Sequence, residues 1–189
     1  MQKSKTKILT ECAILVALST VLSLIKVWEM PWGGSITLFS MLPVCYISIR
    51  HGLKWGLGSA FVYSVIQLFF GITMSGLLGW GLTAGILIAC MLLDYILAFT
   101  SLGLSGLFAK KGFVGIISGT VLSVCIRFIL HLLSGVYLFS AAGKLWEGFE
   151  TSNTWLYSFI YNGCYMLPEL IMTVIGAIVC YKALENKNI

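Results

Sequence analysis

The chain has 189 residues and a net charge of +5; 59% of its residues are hydrophobic and only 10% are charged. Because soluble domains average about 25% charged residues, this composition indicates an integral membrane protein. The length allows about six helical crossings of roughly 20 residues each, which excludes a soluble catalytic or ATP-hydrolysing domain. The sequence also lacks the P-loop pattern GxxxxGK(S/T).

Long apolar runs alternate with polar or Gly-rich connections along the chain. They predict an all-α membrane protein, a compact bundle of six transmembrane helices in one integral membrane domain that spans residues 1–189. The predicted helices cover approximately residues 8–27, 36–49, 53–71, 83–108, 113–139 and 155–184. The second is short for a span of about 20 residues, which indicates a tilted or partly re-entrant segment. Pro168 predicts a kink in the sixth helix.

The Lys and Arg residues outside the apolar runs fall mainly on one side of the predicted bundle. Nine belong to the two termini and to loops 2–3 and 4–5, namely Lys3, Lys5, Lys7, Arg50, Lys54, Lys110, Lys111, Lys182 and Lys187. Only Lys26 and Lys144 fall on the other side. Because cytoplasmic loops are enriched in Lys and Arg, both termini are predicted to be cytoplasmic. Loops 1–2 and 5–6 then face the exterior, where they could cover a site.

Four ionisable side chains lie inside the apolar runs: Asp94, Arg127, His131 and Glu169. A charge at membrane depth costs about 3 kcal/mol on insertion scales, so such residues indicate a functional site. Arg127, His131 and Gly135 recur at i, i+4 and i+8 and therefore share one stripe of the fifth helix. Gly135 leaves room for a group to approach the backbone there.

The fourth and sixth helices add polar and aromatic faces. Their candidate residues are Asp94, Tyr95, Tyr157, Tyr161, Asn162, Tyr165 and Glu169. The last four fall within an arc of about 100° at 3.6 residues per turn. Trp32, in the outer loop 1–2, could close the top of the site. A carboxylate among aromatic rings suits a flat, cationic, heteroaromatic ligand, since each ring attracts a cation by roughly 0.5–2 kcal/mol.

Structural roles stay open for several of these residues. Arg127 could pair with Glu169 or Asp94, while His131 and Asn162 could form hydrogen bonds between helices. Tyrosines near the outer boundary could belong to an aromatic belt. The six cysteines are scattered without a CxxC pair, so no metal site or cofactor is predicted.

Helix 1 carries a pair of small residues, Ala13 and Ala17, at i and i+4. Small residues at this spacing let another helix approach closely. The pair therefore indicates a helix-packing surface on the first helix.

Nearly the whole chain resembles the substrate-binding S components of energy-coupling factor (ECF) vitamin transporters, specifically the thiamin-specific family. The resemblance is carried by Leu9–Ser19, Gly33–Leu38, Tyr157–Glu169 and the pair Asp94 and Tyr95. It implies a non-enzymatic receptor that binds thiamin near the outer face. Its implied partners are a transmembrane coupling subunit, two cytoplasmic ATPase subunits and membrane lipid, without nucleic acid.

The resemblance also assigns roles by position. The ligand-binding residues would be Trp32, Asp94, Tyr95, Arg127, His131, Gly135, Phe139, Tyr157 and Asn162. Glu169 would support them as a partner of Arg127 or of the helix 5–6 packing, and Ala13 and Ala17 would dock on the coupling subunit.

Three residues depart from the family pattern. Asp94 stands for a glutamate, Phe139 for a tryptophan and Arg127 for a lysine. They leave open another heterocyclic vitamin, or a precursor or analogue of thiamin. A stand-alone secondary transporter is a further alternative. An intramembrane serine protease using His131 with Ser134 or Ser118 is another, although no paired nucleophile motif is present.

Overall fold

The computed structural model describes residues 5–30 and 33–185, and most of them are helical. The helices are α1 (Lys5–Leu24), α2 (Leu42–His51), α3 (Leu53–Thr73), α4 (Ala84–Cys90), α5 (Ala98–Thr100), α6 (Gly112–Tyr137) and α7 (Thr154–Glu185). A π-helical segment, Met91–Leu97, joins α4 to α5, and 3-10 turns cover Leu77–Gly79, Ser101–Gly106 and Ala109–Lys111. Two antiparallel hairpins pair β1 (Lys26–Glu29) with β2 (Ser35–Thr37) and β3 (Gly143–Trp146) with β4 (Phe149–Thr151).

Four helical stretches in the described part of the chain are long and apolar enough to cross a membrane. They are Lys5–Leu24, Leu53–Thr73, Ala84–Tyr137 and Thr154–Ala183. The third has 54 residues, which is enough for two crossings of about 20 residues each. It covers all but the end residues of the predicted helices 83–108 and 113–139, between which Gly112 adopts a φ of +66°.

The second helix begins later than the sequence predicts. A helix was expected over residues 36–49, whereas α2 covers Leu42–His51 and Ile36 pairs with β1 as part of β2. Phe39 has a φ of +57°, which a right-handed helix cannot contain. Pro43 lies in the first turn of α2, where its missing N–H leaves no helical bond unmade. At ten residues, α2 is too short to cross a bilayer by itself.

The predicted fourth helix, 83–108, is helical throughout most of its length but changes type along the way. Its middle is the π-helical Met91–Leu97, and its end is the 3-10 segment Ser101–Gly106. The 3-10 segment packs against α2, where Ser48 Oγ donates to the carbonyl of Gly103 at 2.5 Å and accepts from the Gly106 N–H at 3.0 Å. α7, by contrast, runs without interruption through Pro168.

The buried core lies where α2 meets α3 and α7. Met41, Val44 and Tyr63 are fully buried there. Large apolar side chains such as Phe69 and Val179 remain exposed on the outside of the helices. An extended apolar outer surface is unfavourable in water and is what a lipid-facing surface requires.

Candidate functional site

A cavity of about 550 Å³ lies between α1 and α3 on one side and the π-helical segment, α6 and α7 on the other. Its size is within the range of roughly 300–1,000 Å³ that is usual for small-molecule sites. Eight of the predicted ligand-binding residues line it: Asp94, Tyr95, Arg127, His131, Gly135, Phe139, Tyr157 and Asn162. Glu169 lines it too, and Trp32 lies outside the described residues.

Asp94 is held by a chain of hydrogen bonds. Its Oδ1 lies 2.8 Å from His131 Nδ1, and its Oδ2 accepts from Ser134 Oγ. Arg127 Nε donates to His131 Nε2 at 3.3 Å. Because a guanidinium only donates, Nε2 is the acceptor and Nδ1 carries the proton that faces Asp94. The chain Arg127–His131–Asp94–Ser134 therefore fixes the carboxylate while leaving each oxygen a lone pair for a ligand.

The guanidinium of Arg127 is held by a thioether and an aromatic ring. Its NH1 lies 2.7 Å from Met41 Sδ, and its Cζ lies 4.0 Å from the centre of the Phe99 ring. Within the described residues it forms no ion pair with Asp94 or Glu169. Neither of the pairings left open for Arg127 is therefore formed among the described residues, where Met41, just before α2, and Phe99 of α5 contact the guanidinium.

The carboxylate of Glu169 forms hydrogen bonds with Thr37, the last residue of β2. Its Oε1 accepts two hydrogen bonds from Thr37, one from the backbone N–H at 2.5 Å and one from Oγ1 at 2.6 Å. Glu169 as a whole is 3% exposed. The expected role of Glu169 as a partner of Arg127 is thus replaced by an attachment to β2.

The side-chain amide of Asn162 forms its hydrogen bonds with other residues of α7. Its Nδ2 donates to the Ser158 carbonyl at 2.9 Å, and its Oδ1 accepts from the Tyr165 hydroxyl at 2.7 Å. Ser158 Oγ in turn donates to the carbonyl of Leu132 on α6, at 2.9 Å. The α6–α7 contact is therefore secured by Ser158, beside which Asn162 faces the cavity.

Gly135 lies where α6 and α7 pack closely against each other. A Cβ atom at this position would lie 2.2 Å from Ser158 Oγ and 3.0 Å from Ser158 Cβ. The space left by the missing side chain of Gly135 is therefore occupied by Ser158 of α7. Gly135 also borders the cavity.

Aromatic rings form much of the remaining wall. The rings of Tyr157 and Tyr161 are parallel, with centroids 6.3 Å apart and planes 7° apart. Phe139 meets Trp80 edge to face, at a centroid distance of 6.1 Å. These rings and the acid Asp94 give the cavity the composition that favours a cationic heteroaromatic ligand.

Comparison with known proteins decides the family. Residues 9–189 match the family described as "Thiamine transporter protein (Thia_YuaJ)". The chain belongs to this family. "Thiamine transporter ThiT" of Bacillus subtilis (strain 168) is 30% identical over 190 residues, which cover 93% of this chain and 91% of that protein. "Thiamine transporter ThiT" of Lacticaseibacillus paracasei is 25% identical over 196 residues, which cover 92% and 86%.

A solved structure supports the fold of this thiamine transporter family member. The structure of ThiT from Listeria monocytogenes superposes with a TM-score of 0.72 and covers 95% of both chains at 22% identity. Together with the four apolar helical stretches, family membership identifies the chain as a multi-pass membrane protein of a transport family.

Several lining residues of this family member were not predicted as ligand-binding residues from the sequence. They include Thr37, Tyr63, Gln67, Trp80 and Ser134. Ser134 carried a usable signal, because it lies three residues after His131 and therefore on the same face of α6. Nothing in the sequence near Thr37 indicates its role, because its partner Glu169 lies 132 positions away along the chain.

Proposed function

We propose that this chain binds thiamin in the 550 Å³ cavity and acts as the S component of an ECF transporter. One observation carries the proposal: the residues predicted to bind ligand, apart from Trp32, come from the π-helical segment, from α6 and the turn after it, and from α7, and they line a single cavity. Thiamin joins an amino-bearing pyrimidine to a positively charged thiazolium ring. The carboxylate of Asp94 complements the amino-bearing ring, and the tyrosine faces complement the cation.

Two features support a proposal for the coupling partners: the sequence has no P-loop, and α1 exposes a pair of small residues. The sequence contains no P-loop to hydrolyse ATP, and we propose that a transmembrane coupling protein and two cytoplasmic ATPases supply the energy for uptake. Ala13 and Ala17 are exposed on α1, where they offer a flat surface for another transmembrane helix. The Lys and Arg distribution supports cytoplasmic termini.

Equilibrium titration of the purified protein tests the binding proposal. Thiamin should quench tryptophan fluorescence at low ligand concentration, because Trp80 lines the cavity, whereas riboflavin and biotin should have no effect. The isolated pyrimidine half of thiamin serves as the precursor control. Tighter binding of that fragment than of thiamin, or no response to thiamin by fluorescence and calorimetry, would contradict the proposal.

Uptake assays test the coupling. Proteoliposomes that contain this chain alone should bind thiamin without accumulating it. Accumulation should require the coupling protein, the ATPases and ATP. Accumulation by the chain alone would instead favour a stand-alone secondary transporter.

A further inference from the structure

The segment 33–40 forms one wall of the cavity. Gly33, Gly34, Ser35, Thr37 and Ser40 all line it, as do Asp94 and His131. The segment contains β2 and the bend before α2, and it belongs to no long helix. Its position relative to the bundle therefore depends on the contacts it makes with the helices.

Two polar contacts join this wall to α7. At one end the Gly34 N–H donates to the Tyr161 hydroxyl at 3.3 Å. At the other, Thr37 donates to Glu169 Oε1 through both its N–H and its hydroxyl. Since the Thr37 hydroxyl proton is directed at Glu169, the 2.6 Å contact with Ser40 must be donated by the Ser40 hydroxyl.

The contact between Thr37 and Glu169 requires the burial of a carboxyl group, which costs free energy. Glu169 is 3% exposed and Thr37 is 7% exposed, so the carboxyl group is removed from water. Glu169 Oε2 has no hydrogen-bond partner within the described residues. Burying a carboxyl oxygen without a hydrogen-bond partner costs free energy, which the two hydrogen bonds from Thr37 to Oε1 partly offset. Among the described residues, the Glu169 side chain forms hydrogen bonds only with the wall segment.

We propose that Glu169 is a positioning residue that fastens the wall segment 33–40 to α7 and so slows release of the ligand from the cavity. The inference rests on the proposed function, because the ligand is taken to be thiamin. A role in packing alone would change the stability of the fold without changing ligand release selectively. Loss of the fastening should therefore raise the dissociation rate and leave the association rate nearly unchanged.

Two buried threonines provide a matched pair of variants. Thr37→Val removes the hydroxyl bond to Glu169 while keeping the side-chain shape. Thr173→Val makes the same change on α7, at a fully buried hydroxyl whose 2.7 Å bond is to the Glu169 carbonyl of its own helix. Glu169→Gln retains a carbonyl acceptor for both Thr37 donors, and Glu169→Leu removes it.

Two measurements are made on each variant. Stopped-flow tryptophan fluorescence gives the association and dissociation rates of thiamin. Hydrogen–deuterium exchange of the peptide that covers residues 33–40, measured without ligand, shows how firmly this segment is held against α7. Thr37→Val and Glu169→Leu should accelerate exchange of this peptide and raise the dissociation rate about tenfold, equivalent to roughly 1.4 kcal/mol. Thr173→Val and Glu169→Gln should remain close to the unmodified protein in both measurements.

The outcomes separate this inference from the proposed function. Unchanged exchange in Thr37→Val and in Glu169→Leu overturns the fastening, and faster exchange with unchanged dissociation overturns its role in retention. An equal effect of Thr173→Val would assign the result to packing of α7 and also overturn the inference. If the unmodified protein does not bind thiamin, the proposed function fails, while the exchange measurement still decides whether Glu169 holds the wall.

Discussion

Replacing Asp94 with asparagine removes a charge from the cavity with little change in shape. The asparagine Oδ1 can still accept from His131 Nδ1, and its Nδ2 can donate to Ser134, whose hydroxyl serves as donor or acceptor. Both contacts that now hold the carboxylate can therefore persist, and the unliganded fold should retain its stability. The interaction that the variant loses is the one with a cationic or amino-bearing ligand.

A hydrogen bond to a charged group contributes about 1.5–3 kcal/mol. At roughly 1.4 kcal/mol per factor of ten, Asp94→Asn should weaken thiamin binding about 10- to 150-fold. Isothermal titration calorimetry measures the Kd, and thermal unfolding without ligand measures the fold. Glu11→Gln is the matched control, because Glu11 contacts Arg50 and His51 outside the cavity. An unchanged Kd in Asp94→Asn, or an equal loss in Glu11→Gln, would refute the assignment of Asp94 as a ligand contact.

Three further variants test separate parts of the structure. Ser134→Ala removes one donor to the site carboxylate and should weaken binding about tenfold, or roughly 1.5 kcal/mol by calorimetry; Ser118→Ala, whose hydroxyl bonds within its own helix, should have no effect. Gly135→Ala places a Cβ 2.2 Å from Ser158 Oγ and should destabilise the fold by about 1–3 kcal/mol in thermal unfolding, and an unchanged Tm would contradict the close α6–α7 contact. Ala17→Trp should abolish coupled uptake while leaving the Kd for thiamin unchanged, and a weakened Kd would show that this face of α1 is internal.

The parts of the site that lie on one helix could be predicted from the sequence. Arg127, His131 and Gly135 share a face because of helical spacing, and that face does border the cavity. Helical periodicity is a local property, so the identity of a face can be deduced without knowing its neighbours. The same reasoning applied to Ser134 would have added it to the site.

The partners across the bundle could not be predicted in this way. Arg127 and Glu169 are complementary charges on adjacent helices, yet each is bound by a group from elsewhere in the chain. Thr37 reaches Glu169 only because residues 35–37 form a strand, whereas the hydrophobic run that starts at Ile36 suggested a helix. The deciding residues were Phe39 and Pro43, which delay the start of α2.

The π-helical segment Met91–Leu97 lies within one long helical stretch, between α4 and the 3-10 segment Ser101–Gly106. Asp94 lies in this segment, while Ser101–Gly106 is packed tightly against α2. In an ordinary α-helix each residue advances the chain by about 100°, so inserting or deleting one residue would rotate everything beyond it. A wider helical turn can absorb such a change locally. A change in chain length can therefore alter the direction of Asp94, the proposed ligand contact, while Ser101–Gly106 keeps its register against α2.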